Sequence, residues 1–263
     1  MRISDNHWLI NIPIAHRGLW NSTLPENTLP AYKNAVENGY AIETDLYITT
    51  DGVIVCFHDV ALNRLTGANG KIYQKSYEEL NNLFVSGSNE KIPTFQQLLD
   101  CVDGKVPLLI EFKEQPNHKA LLYKAIDMLK NYKGEFAVQS FNPSYISTFR
   151  KKAPEFIRGI LATDYIDQPT PKIKKIIAKK MPFNFMCKPD FISYRHTETD
   201  KFVAENLHRQ LEAFRLPKTV LKGSKNLKRK IDRVFRDQEE LPLTDDLEQT
   251  LVDALKDSEW LIV

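Results

Sequence analysis

Eight short runs rich in apolar and β-branched residues recur along the chain, and most are followed by a stretch with helical spacing. They are "NIPIAH", "AIETDLY", "VIVCFHD", "VPLLIEFK", "EFAVQSF", "IRGILAT", "DFISYRH" and "KTVLKG". Between the first two, "TLPAYKNAVENG" puts Leu29, Tyr32, Ala35 and Val36 on one helical face, with Gly39 as its stop. "NHKALLYKAIDMLKNYKG" has Asn117 as a candidate N-cap and Gly134 as its end. This alternation predicts a parallel α/β protein. At 263 residues the leading choice is a TIM-type (β/α)8 barrel, one domain over residues 1–263.

One link breaks the pattern. Only "LYITTDG" (46–52) lies between Asp45 and the third run, whereas a parallel crossover takes a dozen or more residues. If both strands climb the barrel, the chain descends in extended form to a turn at Asp51-Gly52 and climbs again. The expected barrel is therefore irregular, with no helix between strands 2 and 3. A longer excursion over residues 60–100 follows the third strand and reads as a small insertion subdomain over one mouth.

Charged residues sit at the ends of these strands. Residues two apart share a strand face, which pairs Glu43 with Asp45 and Glu111 with Lys113. His16 continues the face of Ile12 and Ile14, and His58 that of Ile54 and Cys56. The C-terminal mouth is where barrel enzymes keep their chemistry. Glu43, Asp45 and Glu111 make an all-oxygen cluster suited to one hard divalent cation, Ca²⁺ or Mg²⁺, and without a cation they would raise each other's pKa. His16 and His58 are natural acid–base groups near neutral pH. Arg17 and Lys113 add fixed positive charge for an anionic, phosphate-like substrate. The set describes phosphodiester cleavage. Each signal alone has an ordinary explanation: a hydrogen-bonded histidine, a solvated Glu-x-Asp, a surface ion pair. Their joint occurrence at strand ends sharing one mouth is what chance explains poorly. No His-x-His occurs, which excludes a zinc amidohydrolase barrel.

With these residues in place, the chain resembles the glycerophosphodiester phosphodiesterase family of phospholipase-C-like barrels. The matching stretches are "AHRG" (15–18), "PENT" (25–28), "IETDLYITTDGVIVCFHD" (42–59), "LNRLTG" (62–67), "EFK" (111–113) and "QSFNP" (139–143). The resemblance implies hydrolysis of glycerophosphodiesters to an alcohol and sn-glycerol 3-phosphate. It implies His16 and His58 as the catalytic histidines, Glu43, Asp45 and Glu111 as metal ligands, and Arg17 and Lys113 as the phosphate contacts. Glu26 of "PENT" matches a further characteristic position and is expected to orient Arg17 or His16. Asp59 is expected to support the site by hydrogen bonding near His58. The family's insertion follows its third strand, where residues 60–100 lie. The C-terminal end departs from the family: its Trp-Thr segment on the eighth strand has no counterpart in "KTVLKGSKNLKRKIDRV", and the chain ends in "EWLIV".

Two other readings compete. One is a lysophospholipid-cleaving phospholipase of the same barrel chemistry, with Phe183, Phe185 and Met186 as candidates for an apolar rim. The other is a non-catalytic barrel that binds a phosphorylated ligand. A net charge of +2 argues for neither a nucleic-acid partner nor a membrane surface. No run approaches the roughly 20 apolar residues of a membrane span, so no stable membrane anchor is expected. The basic stretch Lys218 to Arg236 reads as a solvated helix face, because the acids of 238–246 follow at once. His196 is a candidate substrate contact, and His208 reads as a surface position. Cys56, Cys101 and Cys187 lack metal or disulfide spacing. With no recognisable signal peptide, a reduced, cytoplasmic setting is the expectation.

Overall fold

A computed structural model of the chain describes residues 3–4, 6–162, 184–195 and 260–262. The sequence features at 196, 208 and 218–236, including the run "KTVLKG", lie outside the described residues, as does Phe183.

The strands are β1 (Ile14–Ala15), β2 (Ala41–Ile48), β3 (Ile54–Cys56), β4 (Leu108–Phe112), β5 (Phe136–Ser140), β6 (Ile157–Ala162), β7 (Phe191–Arg195) and β8 (Trp260–Ile262). They form one sheet in the order β1-β2-β4-β5-β6-β7-β8, with β3 paired to β2 off this path. Every pairing from β1 to β7 along that path is parallel. The helices between them are α2 (Leu29–Glu37), α5 (Phe95–Val102), α6 (His118–Asn131) and α7 (Pro143–Lys152). Shorter helices are α1 (Trp8–Asn11), α3 (Asn63–Thr66), α4 (Tyr77–Leu80) and α8 (Asn184–Cys187). This is the α/β barrel fold, curled from a parallel sheet with helices outside.

Local chemistry starts and stops these helices where the sequence suggests. Pro30 lies in the first turn of α2, where its missing N–H costs nothing, and Gly39 follows the helix at φ 71°. Thr94 and Gln97 form a capping box at α5. Asn142 accepts from the Ser144 amide at the start of α7. Asn117 occupies the N-cap position of α6, but its side chain makes no capping bond.

Alternation along the strands divides the core in two. Ile42, Leu46, Leu108, Ile110, Phe112, Val138, Ile160 and Ile192 pack with α2, α5, α6 and α7. The opposite phase gives Ala41, Leu109, Ala137 and Phe191, which pack with Ile3, Trp8 and Leu9. The start of the chain and α1 thus plug the end where the parallel strands begin. Continuing that inner phase toward the C-terminal ends leads to Glu43, Asp45, Glu111 and Gln139, all buried. The charged residues are inside because they share the face of the plug residues.

The third strand is not the parallel strand the sequence predicts. β3 runs antiparallel to β2, pairing Leu46 with Cys56 and Ile48 with Ile54. The segment after β2 is a tight hairpin: the Thr49 amide donates to the Val53 carbonyl at 2.9 Å, and Gly52 takes φ 81°. Folding straight back satisfies the backbone at once, whereas an extended descent would leave it unpaired. No helix lies between β2 and β3, as expected, but the barrel's helix after β2 is not missing. It is α5 (Phe95–Val102), displaced past the hairpin and residues 57–94, and it leads into β4. Residues from Tyr47 and Val55 through Ile92 bury their own small cluster, with Phe57, Leu62, Leu65, Ile72 and Leu80 at its centre.

β8 also departs from an all-parallel barrel, since it pairs antiparallel with β7. It falls in "EWLIV"; "KTVLKG", the run expected as the eighth strand, lies outside the described residues. Among the described residues, no helix is long and apolar enough to cross a membrane.

Candidate active site

Three carboxylates meet between the middle of β2 and the end of β4. Glu43, Asp45 and Glu111 each offer an oxygen within 4.8 Å of the others, because Asp45 and Glu111 are register partners on adjacent strands. The Lys113 ammonium sits between two of them, 2.9 Å from Asp45 Oδ1 and 2.8 Å from Glu111 Oε1.

The loop after β1 supplies the next layer. Arg17 adopts φ 61° and Gly18 φ 83°, a left-handed pair that turns the chain sharply over the mouth. A Cβ on Gly18 would stand 3.0 Å from the backbone and side chain of Ala31, so only glycine passes there. This turn aims the Arg17 amide at Glu43 Oε2, 3.1 Å away. It also sets His16 Nε2 4.0 Å from the same oxygen. The Arg17 guanidinium donates to Glu26 at 2.8 Å and lies 3.9 Å from Asp45. Arg17 Nε is buried with no hydrogen-bond partner among the described residues.

His58 arrives from the other side, just past the descending β3, where the Phe57 amide donates to the Asp45 carbonyl. Its Nδ1 lies 2.6 Å from Asp59 Oδ1. All nine residues singled out in the sequence therefore lie in one connected region of the mouth.

The electrostatics follow from burial and neighbours. Burial, then the charges of Asp45 and Glu111, drive Glu43 well above the usual carboxylate range. Burial pushes Glu111 up to about 7, against the pull of Lys113. Burial also disfavours a charged Asp45, but Lys113, His58 and Arg17 outweigh it and hold that carboxyl well below its ordinary value. His16 is lowered to about 4, first by burial and then by the Arg17 charge, so its imidazole is neutral at pH 7. Burial lowers His58 as well, while Asp45 and the bond to Asp59 pull the other way.

A divalent cation fits this donor set. Three hard oxygens converge, and two of the carboxyls are forced toward their protonated forms when no further positive charge is present.

Sequence reasoning passed over two residues that join these parts. Asn27 of "PENT", at φ 53°, donates its amide to Asp45 Oδ2 at 2.9 Å and accepts from the Tyr32 hydroxyl at 2.9 Å. Arg64 of "LNRLTG" donates to both Asp59 and Glu26. Both lie inside stretches that carry the family resemblance, and that was the available signal.

Comparison with known proteins finds a phosphodiesterase family. The pattern of the glycerophosphoryl diester phosphodiesterase family matches residues 16–208, so the chain belongs to that family. A glycerophosphodiester phosphodiesterase of Caldanaerobacter subterraneus is 30% identical over 192 residues, covering 68% of this chain and 78% of the relative. Glycerophosphodiester phosphodiesterase 1 of Bos taurus is 33% identical over 161 residues, covering 57% of this chain. The match spans only 45% of the bovine protein. Among solved structures, a glycerophosphodiester phosphodiesterase from Parabacteroides distasonis aligns with TM-score 0.51 at 27% identity, over 57% of this chain and 64% of that one. A phosphodiesterase of Oleispira antarctica, solved with sn-glycerol-3-phosphate, shares the fold with TM-score 0.61 at 22% identity, over 78% and 80% of the two chains.

Proposed function

We propose that the protein is a metal-dependent phosphodiesterase that hydrolyses glycerophosphodiesters to an alcohol and sn-glycerol 3-phosphate. The observation that carries this reading is the meeting of two imidazoles, three carboxylates and two cationic side chains at one barrel mouth. The relatives named as glycerophosphodiester phosphodiesterases support the substrate class.

In this reading Glu43, Asp45 and Glu111 hold one divalent cation, Ca²⁺ or Mg²⁺. When bound, the cation supplies positive charge against the phosphoryl oxygens. Arg17, whose Nε has no hydrogen-bond partner among the described residues, and Lys113 hold the phosphate by charge-assisted hydrogen bonds. His16, neutral at pH 7, accepts the proton of the attacking oxygen as that oxygen bonds to phosphorus. His58 acts in its protonated form, which Asp45 and Asp59 favour against burial: it keeps one proton on Nδ1 against Asp59 and gives the other from Nε2 to the departing alcohol oxygen as its bond to phosphorus breaks. Asn27 holds Asp45 in place through Oδ2.

Release of glycerol 3-phosphate from glycerophosphocholine tests the reading. Release that requires Ca²⁺ or Mg²⁺ and stops with chelator is the expected result. Folded protein that cleaves lysophosphatidylcholine and not glycerophosphocholine would instead establish the phospholipase. Binding of a phosphodiester without turnover under either metal would establish a phospholigand-binding barrel.

A further inference from the structure

We propose that Arg64 is a positioning residue that locks His58 and Arg17 into one geometry through two shared carboxylates; this rests on the phosphodiesterase reading above. Arg64 belongs to α3, after His58, and among the described residues makes no hydrogen bond or ion pair to either imidazole or to Glu43, Asp45 or Glu111. Its Nε and Nη2 donate to the two oxygens of Asp59, the latter at 3.0 Å. Its Nη1 and Nη2 donate to the two oxygens of Glu26, at 3.0 and 2.7 Å. Beyond these carboxylates stand His58, bonded to Asp59 at 2.6 Å, and Arg17, bonded to Glu26 at 2.8 Å. The connected series is Arg17, Glu26, Arg64, Asp59, His58.

Only a guanidinium can serve both carboxylates at once, because its planar fork matches two bidentate partners while an ammonium is a point charge. Its backbone is fixed from below: Leu62 and Leu65, on either side, are buried in the insertion's own cluster, and Gly67 closes α3 at φ 70°. Arg64 therefore acts in two directions. Through Asp59 it keeps the proton of His58 on Nδ1 and turns Nε2 toward the substrate. Through Glu26 it holds the guanidinium of Arg17 over the mouth.

The two directions separate kinetically. With glycerophosphocholine, Asp59→Asn is expected to lower kcat roughly 10- to 100-fold with KM within about threefold. Glu26→Gln is expected to raise KM about tenfold with a smaller change in kcat. Arg64→Met should do both, and adding Asp59→Asn to it should lower kcat no further. Guanidinium in the buffer should restore part of the activity of Arg64→Ala, and Arg64→Lys should restore less than half. Wild-type kcat and KM in Arg64→Met, or losses that multiply independently with those of Asp59→Asn, would overturn the proposal. The Nδ1–H resonance of His58 supplies a readout without turnover. If the wild type releases no glycerol 3-phosphate but folded Arg64→Met loses that resonance, the positioning role stands and the assigned activity falls. A resonance unchanged in Arg64→Met overturns the positioning role itself.

Discussion

Three carboxylates in one buried mouth are unfavourable by themselves. Two unit charges 4 Å apart repel by about 4 kcal/mol at an effective dielectric near 20. The site relieves this in two ways: Lys113 bridges Asp45 and Glu111, and Glu43 and Glu111 are pushed toward their protonated forms. Protons and a divalent cation therefore compete for the same oxygens. As pH rises through about 7, Glu111 loses its proton and the cation meets less competition. Affinity for Ca²⁺ or Mg²⁺ is expected to rise with pH, on the order of tenfold per pH unit for each carboxyl proton the cation must displace. Calorimetric titrations in buffers of different ionisation enthalpy measure the released protons; an affinity independent of pH between 5 and 8 would contradict this. At this scale the sequence was informative about residue types and, through the family resemblance, about the pairs Glu26–Arg17 and Asp59–His58, but silent about other partners. Asn27 reaches Asp45 across 18 positions, and Arg64 reaches Glu26 across 38, contacts that no local pattern encodes.

Single elements show where pattern reading succeeds. Alternation in β2 and β4 identified the inward faces, because a strand's period of two fixes its sides once one residue is placed. The same period cannot say whether the next strand runs up or down. "LYITTDG" is long enough for an extended descent, yet Gly52 and the Thr49–Val53 bond fold it into a hairpin, so the direction of β3 was not legible. Nor was α5 as the delayed helix of the second barrel unit, since a hairpin and residues 57–94 separate it from β2. Close packing between strands adds a constraint the pattern does not carry. At Gly159 in β6 an added Cβ would stand 2.2 Å from the ring of Phe191, its register partner in β7. Gly159→Ala is expected to cost about 1–3 kcal/mol in urea unfolding, and Phe191→Leu should restore part of it by removing the ring. Equal loss in the single and double variants would show that the ring is not the obstacle.

Across the whole molecule, stability and chemistry occupy opposite ends of the sheet. Ile3, Trp8 and Leu9 seal one end with Leu109 and Phe191. The other end gathers charges from the loop after β1, from β2 and β4, and from the start of the insertion. The insertion takes part in that assembly: it follows His58 directly, and Arg64 returns from it to the β1 loop. Among the described residues, the family motifs before residue 145 are the ones that build the mouth.

The central claim is that the two imidazoles have different duties in phosphodiester cleavage. Comparing His16→Ala and His58→Ala on glycerophosphocholine and on a nitrophenyl diester of glycerol 3-phosphate tests it most directly. A nitrophenolate departs without help from an acid, so His58→Ala should lose at least about 100-fold on the choline diester and much less on the nitrophenyl one. His16→Ala should lose heavily on both. Equal losses on the two substrates in both variants, or no loss in either, would contradict the account.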